Sequence, residues 1–227
     1  MLKYFIKTSL VSYIVLGFTM LSSIIVARHY GPTGQGIIVA LLLIPQMVIN
    51  YGDLGVSESI MYHLSNNKGS IKSIKKTLLK IFASLLLIMM LGFGIYLIFF
   101  PYSDIEYSYH LGFLYIILLF SYQVLTFIFR GYLKLNIYNL SSLILNLSIL
   151  SLVVICVILD FPIIYVFISY IVSTVVSIIY LLSKLKFNPV EKGKDEFETK
   201  DIYSYGIKTY AYKISASTES QFDKFMI

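Results

Sequence analysis

Arg28 is the residue best placed to hold an anion. It stands between two uncharged apolar runs, 8–27 and 29–52, and a planar guanidinium matches oxyanions through paired N–H donors. The same side chain could instead snorkel to headgroups or cap the helix that it ends. Lys213 is the second candidate, because it lies inside a largely apolar segment, 202–227, where a cation is ordinarily excluded. Lys208, nearer the start of that segment, suits an interface. Asn50 and Gln123, with Gln46 and Asn146, are amides within apolar runs; they either line a polar path or bond from helix to helix. Asp53, flanked by Gly52 and Gly55, is expected to accept from amides freed by a helix break rather than to relay protons; pairing with a lysine is the other reading. His29, His63 and His110 have no acidic neighbours at catalytic spacing, which leaves acid–base and nucleophilic chemistry little to work with. Cys156 is the single cysteine, so an internal disulfide and a cysteine-based metal site are excluded. It reads as a small packing residue, and no cofactor is expected.

The elements that must position these residues are membrane helices. Of 227 residues, 58% are hydrophobic and 13% charged, with a mean hydropathy of +0.81; an ordinary soluble domain carries about 25% charge. Six stretches contain no Asp, Glu, Lys or Arg: 8–27, 29–52, 81–103, 107–129, 135–159 and 161–183. Each is long enough for a hydrocarbon core of roughly 30 Å, which takes about 20 helical residues. Helices are required there because lipid offers no partner to a free backbone amide. The chain therefore reads as an all-α integral membrane protein, and soluble enzymes, secreted disulfide scaffolds and DNA-binding domains are excluded. The net charge of +6 reports orientation rather than nucleic-acid binding. The first run is too long for the apolar part of a signal peptide and has no small-x-small cleavage site after it.

Read alternately, the loops divide their cations very unequally. One side holds Lys3, Lys7, Lys68, Lys72, Lys75, Lys76, Lys80, Arg130, Lys134, Lys184, Lys186, Lys192, Lys194 and Lys200; the other holds Arg28 alone. Basic residues resist translocation, so the rich side is expected to be cytoplasmic, with the N-terminus inside. That rule alone accounts for the basic face of Lys72, Lys75, Lys76 and Lys80; recruitment of an anionic lipid head is the alternative.

The breaks carry further information. Gly31-Pro32-Thr33-Gly34-Gln35-Gly36 predicts a tight external hairpin a few residues long, since proline sets φ and glycine tolerates positive φ. The second helix contains Pro45, where a kink is expected, and then meets Gly52-Asp53-Leu54-Gly55, a poor sequence for continuing a helix. A short helix, 56–64, should follow. Residues 1–186 form a six-helix lobe, 187–201 a polar cytoplasmic linker, and 202–227 the partial seventh helix that opens a second lobe. Tyr205-Gly206-Ile207-Lys208-Thr209 echoes Tyr4-Phe5-Ile6-Lys7-Thr8 at four of five positions, which suggests a repeated unit. Transporters built from such parallel repeats carry their path between the halves. The sequence thus reads as the first half of a larger protein, ended by truncation or a disrupted reading frame.

The residues 27–36, Ala-Arg-His-Tyr-Gly-Pro-Thr-Gly-Gln-Gly, followed one helix later by Gly52-Asp53-Leu54-Gly55, resemble the N-terminal signature of polysaccharide and lipid-linked-oligosaccharide flippases. These belong to the multidrug/oligosaccharidyl-lipid/polysaccharide exporter superfamily. Residues 205–227, with Gln221-Phe222-Asp223, are similar to that family's seventh helix. The resemblance spans essentially the whole chain, but the family has twelve to fourteen helices, so most of a second lobe is missing. It implies a non-enzymatic role: moving undecaprenyl-pyrophosphate-linked O-antigen or capsule repeat units to the outer leaflet of the cell membrane. Arg28, Lys213, Asn50 and Gln123 would then face the substrate, and Gly31, Pro32, Gly34, Gly36, Gly52, Asp53 and Gly55 would shape the breaks. Expected partners are the anionic lipid-linked glycan, membrane lipids, and a polysaccharide polymerase or glycosyltransferases; nucleic acid is not among them. The rival readings are a membrane-embedded glycan polymerase or acyltransferase, a drug antiporter of the same superfamily, and a non-transporting lobe that serves as an interaction partner.

Overall fold

The computed structural model describes residues 2–53, 55–66, 106–187 and 203–210, together with positions 83, 87, 90 and 91. Apart from Phe187, which is helical, the expected linker lies outside the described residues, as does Lys213; of the expected third span, 81–103, the four described positions are helical. Everything regular among the described residues is α-helix: α1 (Leu2–Gly52), α2 (Val56–Ser65), α3 (Glu106–Gly131), α4 (Leu135–Ile158) and α5 (Ile163–Phe187), followed by a helical segment, 203–210. The chain is an all-α membrane protein. Among the described residues, four helices are long and apolar enough to cross a bilayer, at Ile6–Gly52, Leu111–Gly131, Leu135–Ile158 and Ile163–Leu185.

The first of these spans holds two crossings. Its 47 residues would extend about 70 Å as a straight helix, more than twice a hydrocarbon core. Gly31 breaks it, with φ 72° and ψ −179°, a conformation essentially restricted to glycine. The chain reverses there: Gln35 Nε2 donates to Ser23 Oγ at 2.8 Å, although residues twelve apart on one helix are separated by about 18 Å. The turn is thus tighter than the expected hairpin. Gly31 alone leaves helical geometry, and Pro32 already starts the second leg, where its fixed φ suits a first helical position. Gly34 has no room for a side chain; a Cβ there would lie 2.5 Å from Tyr30 Cβ and 2.9 Å from Ile163 Cδ1.

The kink expected near Pro45 is not marked by any departure from helical backbone angles, since Gly31 is the one non-helical residue inside α1. Proline's φ is compatible with a helix even though a hydrogen bond is lost. The break at residues 53–55 is present, and Gly55 takes a left-handed conformation (φ 72°, ψ 12°) at the start of α2.

The connections from α3 to α4 and from α4 to α5 share one geometry. Lys134 N bonds to Phe129 O and Leu133 N to Arg130 O, both at 2.9 Å; Phe161 N bonds to Cys156 O at 3.0 Å and Asp160 N to Val157 O at 3.2 Å. These are Schellman caps, but the left-handed position is filled by Leu133 (φ 55°) and Asp160 (φ 53°) rather than glycine.

Two apolar cores hold the helices together, one toward each end. Ile49, Val56, Ile60, Leu64, Ile116, Phe120 and Ile128 form one, with α2 laid on α3. Gly131 permits that approach, because a Cβ there would meet Leu64 Cβ at 2.7 Å. Val26, Ile38, Tyr115, Ile149, Val153, Cys156, Val166, Phe167 and Ile171 form the other, joining both legs of α1 to α3, α4 and α5. Cys156 is a buried packing residue. Leu10, Tyr13, Leu21, Ile24, Leu147, Ile158 and Ile179 are among the many large apolar residues left exposed, as a lipid-facing surface requires.

Candidate functional site

The broken helix builds a small polar centre. Asp53 is fully buried, and its Oδ1 accepts from Ser57 N at 3.2 Å and Ser57 Oγ at 2.9 Å. Gly55, which starts α2, has no side-chain cap of its own, so the Asp53 carboxylate takes over an N-terminal amide that would otherwise be bare. A negative group also suits the positive end of a helix dipole. Gln123 reaches in from α3, its Nε2 lying 3.5 Å from Ser57 Oγ. The fold therefore brings Asp53 and Gln123 together through Ser57. Asn50 lies one turn earlier on α1 and is half-buried.

A line of polar pairs runs between α1 and α4. Lys7 Nζ donates to Asn136 Oδ1 at 2.9 Å, Asn139 Nδ2 to Thr8 Oγ1 at 3.1 Å, and Thr19 Oγ1 meets Asn146 Oδ1 at 3.2 Å. Asn146 thus bonds across helices. Sequence reading gave Lys7, Thr8, Thr19, Asn136 and Asn139 no place in such a line. The signal was the spacing of Asn136, Asn139 and Asn146 near one side of a helix, but their partners lie about 130 residues away in sequence.

The end of the bundle marked by Gly31 is stitched together. His29 Nε2 lies 3.1 Å from Asp160 Oδ1, and Tyr30 Oη donates to the Phe161 carbonyl at 2.7 Å. His29 does have an acidic neighbour, therefore, which its place in the sequence concealed. Arg28 is exposed. It continues the stripe Leu10, Ile14, Leu21 and Ile24, residues spaced by three, four or seven and all exposed, so the guanidinium crowns an apolar face of α1.

At the opposite end stand Lys7, Arg130, Lys134 and Lys184. The Arg130 guanidinium lies over the Tyr138 ring at 4.0 Å and donates to that residue's hydroxyl, which fixes it as a packed cation of the kind aromatic faces favour. In the nearby connection, burial pushes the Tyr132 phenol up to about 12, so it stays neutral there. Asn50 is nineteen residues from Gly31, about 28 Å of helix. Arg28 and the Asn50, Asp53 and Gln123 group consequently occupy opposite ends of the bundle and do not form one pocket. Lys208 is exposed toward the end of the 203–210 segment.

A family model described as polysaccharide biosynthesis protein matches residues 1–227. No curated protein and no solved structure matches the chain.

Proposed function

Because the chain belongs to the polysaccharide biosynthesis protein family, we propose that its part in that process is to move lipid-linked oligosaccharide repeat units, such as O-antigen or capsule precursors, from the inner to the outer leaflet of the cell membrane. The observation that carries this reading is the place of Arg28, a cation at one end of an exposed apolar stripe of α1. An amphiphile with a diphosphate head and a polyprenyl tail needs such a surface: a guanidinium for the phosphate oxygens and a lipid-accessible face beside which the tail stays in oil. The family supports polysaccharide biosynthesis in general, and the apolar helices support a multi-pass membrane protein.

The barrier to be overcome is electrostatic. A charge at mid-bilayer costs at least a few kcal/mol, so the sugar diphosphate must pass along polar groups. The α1–α4 line and Gln123 supply hydroxyls and amides on the bundle for that purpose, and Asn50 and Lys213 belong to the same proposed path. With the lysine-rich end in the cytoplasm, Arg28 lies on the receiving side, where it would take over the phosphates from the polar path. Outward movement of an anion is favoured by about 2.3 kcal/mol per charge per 100 mV in an inside-negative cell. The chain is proposed to act without covalent chemistry and alongside the polymerase or glycosyltransferases that consume and make the precursor.

The test is translocation of a fluorescent polyprenyl-diphosphate oligosaccharide by the full-length protein in vesicles. Movement dependent on the protein is expected. A protein that leaves the lipid where it was while altering its glycan would move the assignment to the enzymatic alternative.

A further inference from the structure

The break between α1 and α2 is not only a bend; another part of the chain is seated on it. A Cβ at Gly55 would lie 2.2 Å from the Gly206 carbonyl oxygen and 2.9 Å from Thr209 Oγ1, so the two backbones touch where neither residue has a side chain. Contacts flank this point on both sides. Tyr210 Oη donates to the Tyr51 carbonyl, before the break. Tyr205 stacks on Tyr62, after the break, with ring centroids 4.2 Å apart and an interplanar angle of 10°. Segment 203–210 therefore straddles the discontinuity and holds both of its edges.

We propose that Tyr51, Gly52, Asp53 and Gly55 form, with α2, a docking socket for segment 203–210, and that this joint is the pivot on which that segment moves relative to the helices before it. At the glycine-to-glycine contact the two backbones approach closely with only the small Thr209 hydroxyl beside them, so little side-chain interlocking opposes a turn of one against the other. The hydrogen bond and the ring stack can be released and remade. Motion at Gly55 is delivered directly to the Asp53 and Ser57 cap, because Ser57 follows Gly55 by two residues. The consequence for movement of substrate rests on the proposed transport function; the docking itself does not.

The experiment is cross-linking of the full-length Tyr62→Cys/Tyr205→Cys protein in membranes with a short bismaleimide. Tyr62 is exposed and the native Cys156 is buried, so the reagent reaches the intended pair. A high yield is expected, with translocation stopped in the cross-linked double variant and retained in each treated single variant. Adding Gly55→Ala should lower the yield about tenfold, since a side chain is disfavoured both by the left-handed backbone and by the gap. Gly36→Ala, which has open space, should leave the yield unchanged. Absence of cross-linking, or full translocation after it, would overturn the pivot. If the untreated protein moves no precursor at all, the transport function fails and the cross-linking yields alone decide whether the socket exists.

Discussion

Asp53 and Arg28 are the two charges whose roles the geometry separates most clearly. Asp53 is fully buried and serves Ser57 twice, so Asp53→Ala strips a buried amide and a hydroxyl of their acceptor. The expected loss is about 1–3 kcal/mol, with Asp53→Asn milder because one acceptor oxygen remains. Thermal unfolding in detergent reads this, and an alanine variant as stable as the parent would refute the capping role. Arg28 is exposed. Its removal should therefore act on transport and not on stability. Arg28→Ala is expected to slow translocation roughly tenfold or more, the range of a hydrogen bond to a charged group. Arg28→Lys should fall between, since it keeps the charge and loses the paired donors. Full activity in both variants would remove Arg28 from the substrate path.

The helices owe their ends to backbone conformation more than to composition. Gly31 holds φ 72° with ψ −179°, which any Cβ strains, and the reversal of α1 depends on it. Gly31→Ala should cost about 1–3 kcal/mol, whereas Gly36→Ala, in open space, should be neutral; the difference appears in the unfolding temperature and in the oxidation yield of a cysteine pair replacing Ser23 and Gln35. At the α3–α4 connection the same physics predicts a gain. Leu133 sits at φ 55° and is 74% exposed, so Leu133→Gly gives up little packing and relieves a left-handed residue. A stabilisation of about 1 kcal/mol is expected, and a lower unfolding temperature would contradict it. Neither this cap nor the one at Asp160 was legible beforehand, because a non-glycine residue in a Schellman motif leaves no mark in the sequence. The glycine-marked break at residues 52–55 was legible for the opposite reason.

Across the whole molecule, the fold gathers Lys7, Arg130, Lys134 and Lys184 at one end and Arg28, His29 and Asp160 at the other. A reporter inserted at the 159–162 connection should therefore be active outside the cell, and one at 132–134 inside; the reverse result would invert the proposed orientation. The apolar runs by themselves determined that the chain is a helical membrane protein and where most crossings begin and end: 107–129, 135–159 and 161–183 correspond closely to α3, α4 and α5. Hydropathy suffices there because oil admits a backbone only when its amides are satisfied within the segment. Only the tertiary structure decided which polar residues meet. His29 with Asp160, Thr19 with Asn146, Gln123 with Ser57 and Gly55 with Gly206 are separated by between 66 and 151 positions. Such pairings arise from how helices of similar apolar character turn about their axes and pack, a choice made by shape and small residues at the contacts rather than by any local pattern.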